Sequence, residues 1–114
     1  SVLSLVVAPT TTASIKLDSM ANVSMTSLVG SIAYQYTITY TLYRDGTPLA
    51  QVLISSANDN ILGLAGLTFE EIPNMTWVDS TAAGSHTYEI RIAVSGAGFT
   101  TASVTTRALN AMVF

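Results

Sequence analysis

Between Ile32 and Tyr43 the chain alternates without a fault. Ile32, Tyr34, Tyr36, Ile38, Tyr40 and Leu42 fall on one side, and Ala33, Gln35, Thr37, Thr39, Thr41 and Tyr43 on the other. Successive side chains of a strand point to opposite faces, so β-branched and aromatic residues at period two specify a strand with one buried face. Thr87 to Ser95 repeats the pattern, with Tyr88, Ile90, Ile92 and Val94 set against Thr87, Glu89, Arg91, Ala93 and Ser95. Any fold for this chain has to bury two such faces.

Ser1 to Ala8 is a short apolar strand, set off by Pro9-Thr10-Thr11-Thr12; residues 1–12 form a strand and linker, and 13–114 a single domain. Ala13 to Met25 reads as two short strands, or one interrupted around Ser19 to Asn22, and Leu28 to Ser31 as a turn. After Arg44-Asp45-Gly46 a second apolar run, Leu49 to Ile54, pairs back on Ile32–Tyr43. A three-residue loop with Gly46 left-handed would set Tyr40 against Ala50, Ile38 against Val52 and Pro48 against Leu42, keeping one apolar face. A two-residue Asp45-Gly46 turn would set Tyr40 against Gln51, so the three-residue loop is expected.

Ser55 to Asn60 reads as loop, Ile61 to Phe69 as a covered loop ending in a short strand, and Glu70 to Asn74 as a turn. Met75 to Val78 is a strand; Asp79 to Ser85 and Ser95 to Gly98 are turns by composition. In the last segment the apolar positions are even at Ala102 and Val104 but odd at Leu109, Ala111 and Val113. That phase change predicts a bulge near Thr106 to Ala108. Eight to ten short strands and no credible helix give an all-β antiparallel β-sandwich, with a jelly-roll first and an immunoglobulin- or fibronectin-like order second.

Charge narrows the partners. Charged residues are 10% of the 114 and 49% are hydrophobic, whereas soluble domains carry roughly 25% charge. Four cations and seven anions cannot cover the surface of a small domain, so either hydroxyls pave it or copies of the chain bury it. A net charge of −3 with scattered cations argues against nucleic acid. No apolar run approaches the roughly 18 residues of a membrane span, so no membrane insertion is expected. Cysteine is absent, which removes disulfides and thiolate metal sites. The chain starts at Ser1, as a fragment or processed product would.

Little chemistry accompanies this frame, and no catalytic residue, cofactor or metal is assigned. His86 is the sole imidazole; Ser85 and Asp79 near it are also what turns are made of, so a structural or solvent-exposed role is expected. Asn58-Asp59-Asn60 and Glu70-Glu71 could supply oxygens to calcium but lack the spacing of a built site. Asn22 and Asn74 head glycosylation sequons, which Ser/Thr-rich chains produce by chance. Tyr34, Tyr36 and Tyr40 belong to the core or a subunit interface, while Tyr43, pointing the other way, is the better contact for a sugar. Trp77 and Tyr88 read as packing anchors, and Asp79 and Gly84 as turn-makers.

Thr76-Trp77-Val78-Asp79-Ser80 through Gly84-Ser85-His86-Thr87-Tyr88-Glu89-Ile90-Arg91-Ile92, together with the ending Thr106-Arg107-Ala108-Leu109-Asn110-Ala111-Met112-Val113-Phe114, resembles the C-terminal heads of collagen-like exosporium proteins from spore-forming bacteria. Tyr40 to Thr47 suits those heads, and phage tail-fibre tips are similar more loosely. The resemblance covers about the last two thirds of the chain. It implies a jelly-roll related to the tumour-necrosis-factor and complement C1q group, assembled as a homotrimer. No Gly-X-Y tract stands in the chain, so a collagen-like stalk is an implication of the resemblance alone.

The expectation is a non-enzymatic, self-associating module, extracellular, on a spore, cell or virion surface, with an adhesion role through Tyr43, Arg44, Asp45 and His86. Its partners would be its own copies and a host surface or glycan. Two alternatives stand beside it. One is a fibre or pilus subunit whose N-terminal strand, with Val2, Leu3, Leu5, Val6 and Val7, inserts into a neighbour; the other is a carbohydrate-binding, lectin-like domain.

Overall fold

The computed structural model describes residues 2–27, 33–59 and 68–114. Its elements are β1 (Leu3–Val7), β2 (Ala13–Ser27), β3 (Ala33–Arg44), β4 (Thr47–Asp59), β5 (Thr68–Glu71), β6 (Asn74–Thr81), β7 (His86–Ala97) and β8 (Phe99–Val113). They form two antiparallel sheets packed face to face, an all-β sandwich. One sheet runs β1-β7-β3-β4; in the other, β2 lies between β8 and the β5/β6 edge. The expected Leu28–Ser31 turn and most of Ile61–Phe69 lie outside the described residues.

The strands are long, not short. β2 and β8 span 15 residues each, and β3, β4 and β7 span 12 to 13, against about 5–6 for a typical strand. The molecule is therefore a rod, 59 × 18 × 18 Å. Its radius of gyration, 17.2 Å, exceeds the roughly 13 Å of a compact domain this size. A thin core runs inside it. Ile15, Leu17, Ala21, Tyr40, Leu42, Tyr88, Ile90 and Leu109 pack at one end, and Val23, Met25, Tyr36 and Ile38 at the other. Even positions of β3 from Tyr36 and of β7 from Tyr88 to Val94, and odd positions of β2 from Ile15 to Met25, face inward, as their alternation requires.

β2 is one unbroken strand rather than two. It pairs with β6 from Ala13↔Thr81 to Met20↔Asn74, and with β5 from Val23↔Glu71 to Thr26↔Thr68, in one continuous register. β5 and β6 are thus a single line of chain, and Glu70–Asn74 does not reverse it. The interruption falls at Ile72-Pro73, where proline has no N–H to donate; the Pro73 carbonyl still accepts the Ala21 N–H at 3.1 Å.

The β3–β4 hairpin corrects the expected loop. Asp45 (φ 49°) and Gly46 (φ 81°) are both left-handed, a two-residue turn whose twist matches the flanking strands. Arg44 pairs with Thr47 and Tyr43 with Pro48; a bulge at Leu49 then sets Leu42 against Ala50, Tyr40 against Val52 and Ile38 against Ile54. A uniform two-residue register would place apolar against polar. One extra residue restores the inward parity, but it sits in the strand instead of the loop, so each partner lies two residues beyond the expected one, Tyr40 on Val52 rather than Ala50.

The tail behaves similarly. Asn22 pairs with Thr106 and Val23 with Val104, leaving Thr105 as the extra residue, just before the expected window. Ser55–Ala57 belong to β4 rather than to a loop, and Asp79–Thr81 to β6. β7 continues to Ala97, and Gly98 (φ 87°) turns the chain into the other sheet.

β2 beside β6 and β3 beside β7 are the neighbour relations of the immunoglobulin-like order. The chain's two ends are exchanged with respect to it. β1 lies against β7, from Leu3↔Ile90 to Val7↔His86, and β8 lies against β2. The N-terminal strand is thus a member of the sandwich within its own chain.

Candidate functional site

Polar side chains converge at the end of the rod that carries the Asp45-Gly46 turn and the loop Ala82 to Ser85. Arg44 ends the inward row of β3 and Asp79 lies in the inward row of β6, next to its last member Thr81, so each puts a charge on a row facing the core. They meet there. Arg44 Nη1 lies 2.7 and 2.6 Å from the two Asp79 oxygens, and Tyr88 of β7 donates its hydroxyl to Asp79 Oδ2 at 2.7 Å. Asp79 is 7% exposed and Tyr88 fully buried. Burial, and then the carboxylate beside it, push the Tyr88 phenol well up. Asp79 is thus no turn-maker, and Arg44 points into the molecule rather than toward a partner.

Outside this buried knot sits a second, more exposed one. His86 Nδ1 lies 2.8 Å from Asp45 Oδ2. Its Nε2 lies 2.9 Å from the Ala82 carbonyl and 3.0 Å from Thr81 Oγ1. Both the carbonyl and the carboxylate can only accept, so the two contacts are complete together when the ring is protonated and both nitrogens donate. The Asp45 carboxylate, then the Ala82 carbonyl, hold the His86 pKa above its usual 6.5. The Thr87 N–H donates to Asp45 Oδ1 at 2.8 Å and, followed by His86, lowers the Asp45 carboxyl. An Asp–His–Thr line invites comparison with a catalytic triad. The same Nε2 also lies against the Ala82 carbonyl, and Thr81 is itself buried. The cluster locks the β3–β4 turn to the start of β7.

Nearby contacts complete the lock. Gly84 (φ 115°) donates its N–H to the Pro9 carbonyl at 3.0 Å, tying the linker after β1 to the same end. Leu3, Leu5 and Val7 face the core and Val2 packs against it, while Val6 stands 61% exposed on the outer face.

The expected aromatic contacts are mostly spent. Tyr36 and Tyr40 are buried. Tyr43 faces outward, but the Arg91 guanidinium lies 4.0 Å above its ring, a cation–π contact that occupies the face a sugar would use. Trp77 faces inward at the edge strand, 39% exposed. Tyr36 stacks on Phe69 at 5.2 Å and donates its hydroxyl to Glu71, fastening the other end of the rod. Glu70, on the opposite face of β5, accepts from Asn22; the two glutamates do not converge. Among the described residues no three His, Cys, Asp or Glu could share a metal ion. Asn60 of the other acidic cluster lies outside the described residues.

Two surface features were not read from the sequence. A groove of about 460 Å³ crosses the β7-β3-β4 sheet beside Gln35, Thr37, Ser55, Ser95 and Gly96; it offers hydroxyls and amides but no charge. The other is apolar. On the outer face of the β2 sheet, Lys16 pairs with Val78 on one side and Met112 on the other, with Phe114 next along the same edge, its N–H on the Ser14 carbonyl. Val78, Met112 and Phe114 are 58%, 59% and 68% exposed. Their outward parity was legible; that Val78 and Met112 flank Lys16 in one row across β2, with Phe114 beside Ser14, needed the register.

Comparison with protein-family models, with curated proteins and with solved structures finds no match to this chain.

Proposed function

We propose that this chain is a non-enzymatic structural module that associates with copies of itself on a spore, cell or virion surface. The homotrimer is the stoichiometry its resemblance to exosporium heads implies. The observation that carries the reading is the exposure of Val78, Met112 and Phe114 around Lys16 on one outer face, in a chain with only 10% charged residues to keep copies apart. Clustered apolar side chains exposed to water mark an association face. The engagement of both ring nitrogens of His86 supports the non-enzymatic part. Met112→Lys tests the reading, because the side chain is outside the core: the mass by light scattering should fall with the circular dichroism unchanged. An unaltered oligomer would remove this face from the assembly.

One observation favours a second reading, exchange of β1 between copies. β1 is an edge strand joined to β2 through Thr10, Thr11 and Thr12, all exposed. Swapping it would replace every contact by an identical one. The hinge and the acceptor edge, His86–Ile90, lie at the same end of the rod, so exchange joins ends to ends. It closes small rings rather than extending a fibre. Ser4 opposes Glu89, and a mixture of Ser4→Cys and Glu89→Cys chains would form a mixed disulfide only if exchange occurs.

A further inference from the structure

We infer that the outer edge of β4 is a second self-association surface, taking the β4 strand of another copy in antiparallel register about Leu53. This rests on the self-association reading above and adds to it the partner strand and the register.

An edge strand presents a row of backbone N–H and C=O groups, and proteins guard such rows with proline, charge, bulges or shortness. Three of the four edges here are guarded. β1 is five residues long, the β5/β6 edge is broken by Pro73, and β8 carries Arg107 and the Thr105 bulge. β4 differs. Pro48 and its bulge lie within its first three residues. From Ala50 to Ala57, A-Q-V-L-I-S-S-A, there is neither a charge nor a proline. That is about 26 Å of strand at ~3.3 Å per residue. No strand lies beside this edge among the described residues, and Leu53 is 61% exposed on the outer face.

A backbone row of donors and acceptors is satisfied by another strand, and the composition of this one selects itself. A two-fold axis brings each residue against its own symmetry mate's neighbourhood, so a charged edge would meet like charge; Ala50–Ala57 has none to repel. Parity selects the register. The axis must pass through a residue for inward side chains to continue inward, and placing it at Leu53 sets Leu53 on Leu53, Val52 on Ile54 and Gln51 on Ser55. The most exposed apolar side chain of β4 is then covered by its twin. Val52 and Ile54, half-buried on the core side, extend one apolar layer across both copies. Such a contact is isologous: it doubles whatever unit carries it, turning single copies into pairs and a trimer into six.

The chain has no cysteine, so single thiols report the register directly. Leu53→Cys should give a covalent dimer under mild oxidation, and Gln51→Cys should cross-link to Ser55→Cys in a mixture faster than either does alone. Leu53→Lys should halve the mass seen by light scattering without lowering the melting temperature. If the parent chain is oligomeric and Leu53→Lys leaves its mass unchanged, or if Leu53→Cys cross-links no faster than Ser80→Cys on the opposite sheet, the β4 contact is wrong while self-association stands. If the parent chain runs at 12.0 kDa at its highest soluble concentration, both fall.

Discussion

Tyr88 gives its hydroxyl to Asp79 at 2.7 Å inside the sandwich, with Arg44 closing the other side of the same carboxylate. Three strands from two sheets meet at that oxygen. An anion this deep persists only with its charge balanced and its lone pairs filled. Asp79→Asn should therefore lower stability by about 3 kcal/mol, as for breaking one side of a buried pair. Tyr88→Phe should cost about 2 kcal/mol, the range for a hydrogen bond to a charged group. Urea titration of both variants and the double variant checks this, and the two losses should be less than additive.

Tyr40, on the same inward face, should behave oppositely. The residue is 0% exposed, and its oxygen makes no well-formed hydrogen bond. Burial pushes its phenol up, and the Ser19 hydroxyl beside it offsets this only in part. Tyr40→Phe removes an unsatisfied group and should leave stability within about 1 kcal/mol of the parent, or raise it. A loss matching that of Tyr88→Phe would contradict the assignment.

Gly96 holds the far end of β7 against β3. Its φ of 140° is outside the range of L side chains, and a Cβ there would stand 2.0 Å from the Gln35 carbonyl oxygen. Gly96→Ala should cost about 3 kcal/mol or more. Gly46→Ala meets nothing within 4 Å and pays only for its positive φ, so its melting temperature should drop less.

The Asp45–His86 pair gives a pH signature. His86 has a raised pKa in the fold, so its contribution is complete below about 6.5, the unfolded value, and disappears as pH rises through the folded one. Asp45 is lowered, so its contribution is present above about 3.9 and is lost as pH falls through the folded value. The lock is therefore firmest in mildly acidic solution. Nuclear magnetic resonance titration of the His86 ring should give a pKa above 6.5, and Asp45→Asn should move it down. No change on that substitution would mean that the contact is absent in solution.

Much of this was legible from one sequence because a sandwich depends on period-two alternation, and Ile32–Tyr43 and Thr87–Ser95 show it plainly. Registers were harder. Parity says that one residue must be added between β3 and β4, but not whether Gly46 or Leu49 adds it. Glu70–Asn74 looked like a turn because Pro73 is as much at home in a broken edge strand as in a reversal. The buried knot escaped notice because Arg44 and Asp79 are 35 residues apart. A signal was present: each is the one charge on its strand's inward row, and two such residues on apolar faces must find each other. Val78 lies in one stretch of alternation and Met112 and Phe114 in another, and only pairing with β2 brings them to one face.

The central claim is that this sandwich leaves apolar surface for its own copies. Light scattering on the purified chain across a concentration series measures that directly. A mass at a whole multiple of 12.0 kDa, three or six copies if the trimer holds, is the predicted result; a single copy at every concentration would contradict it.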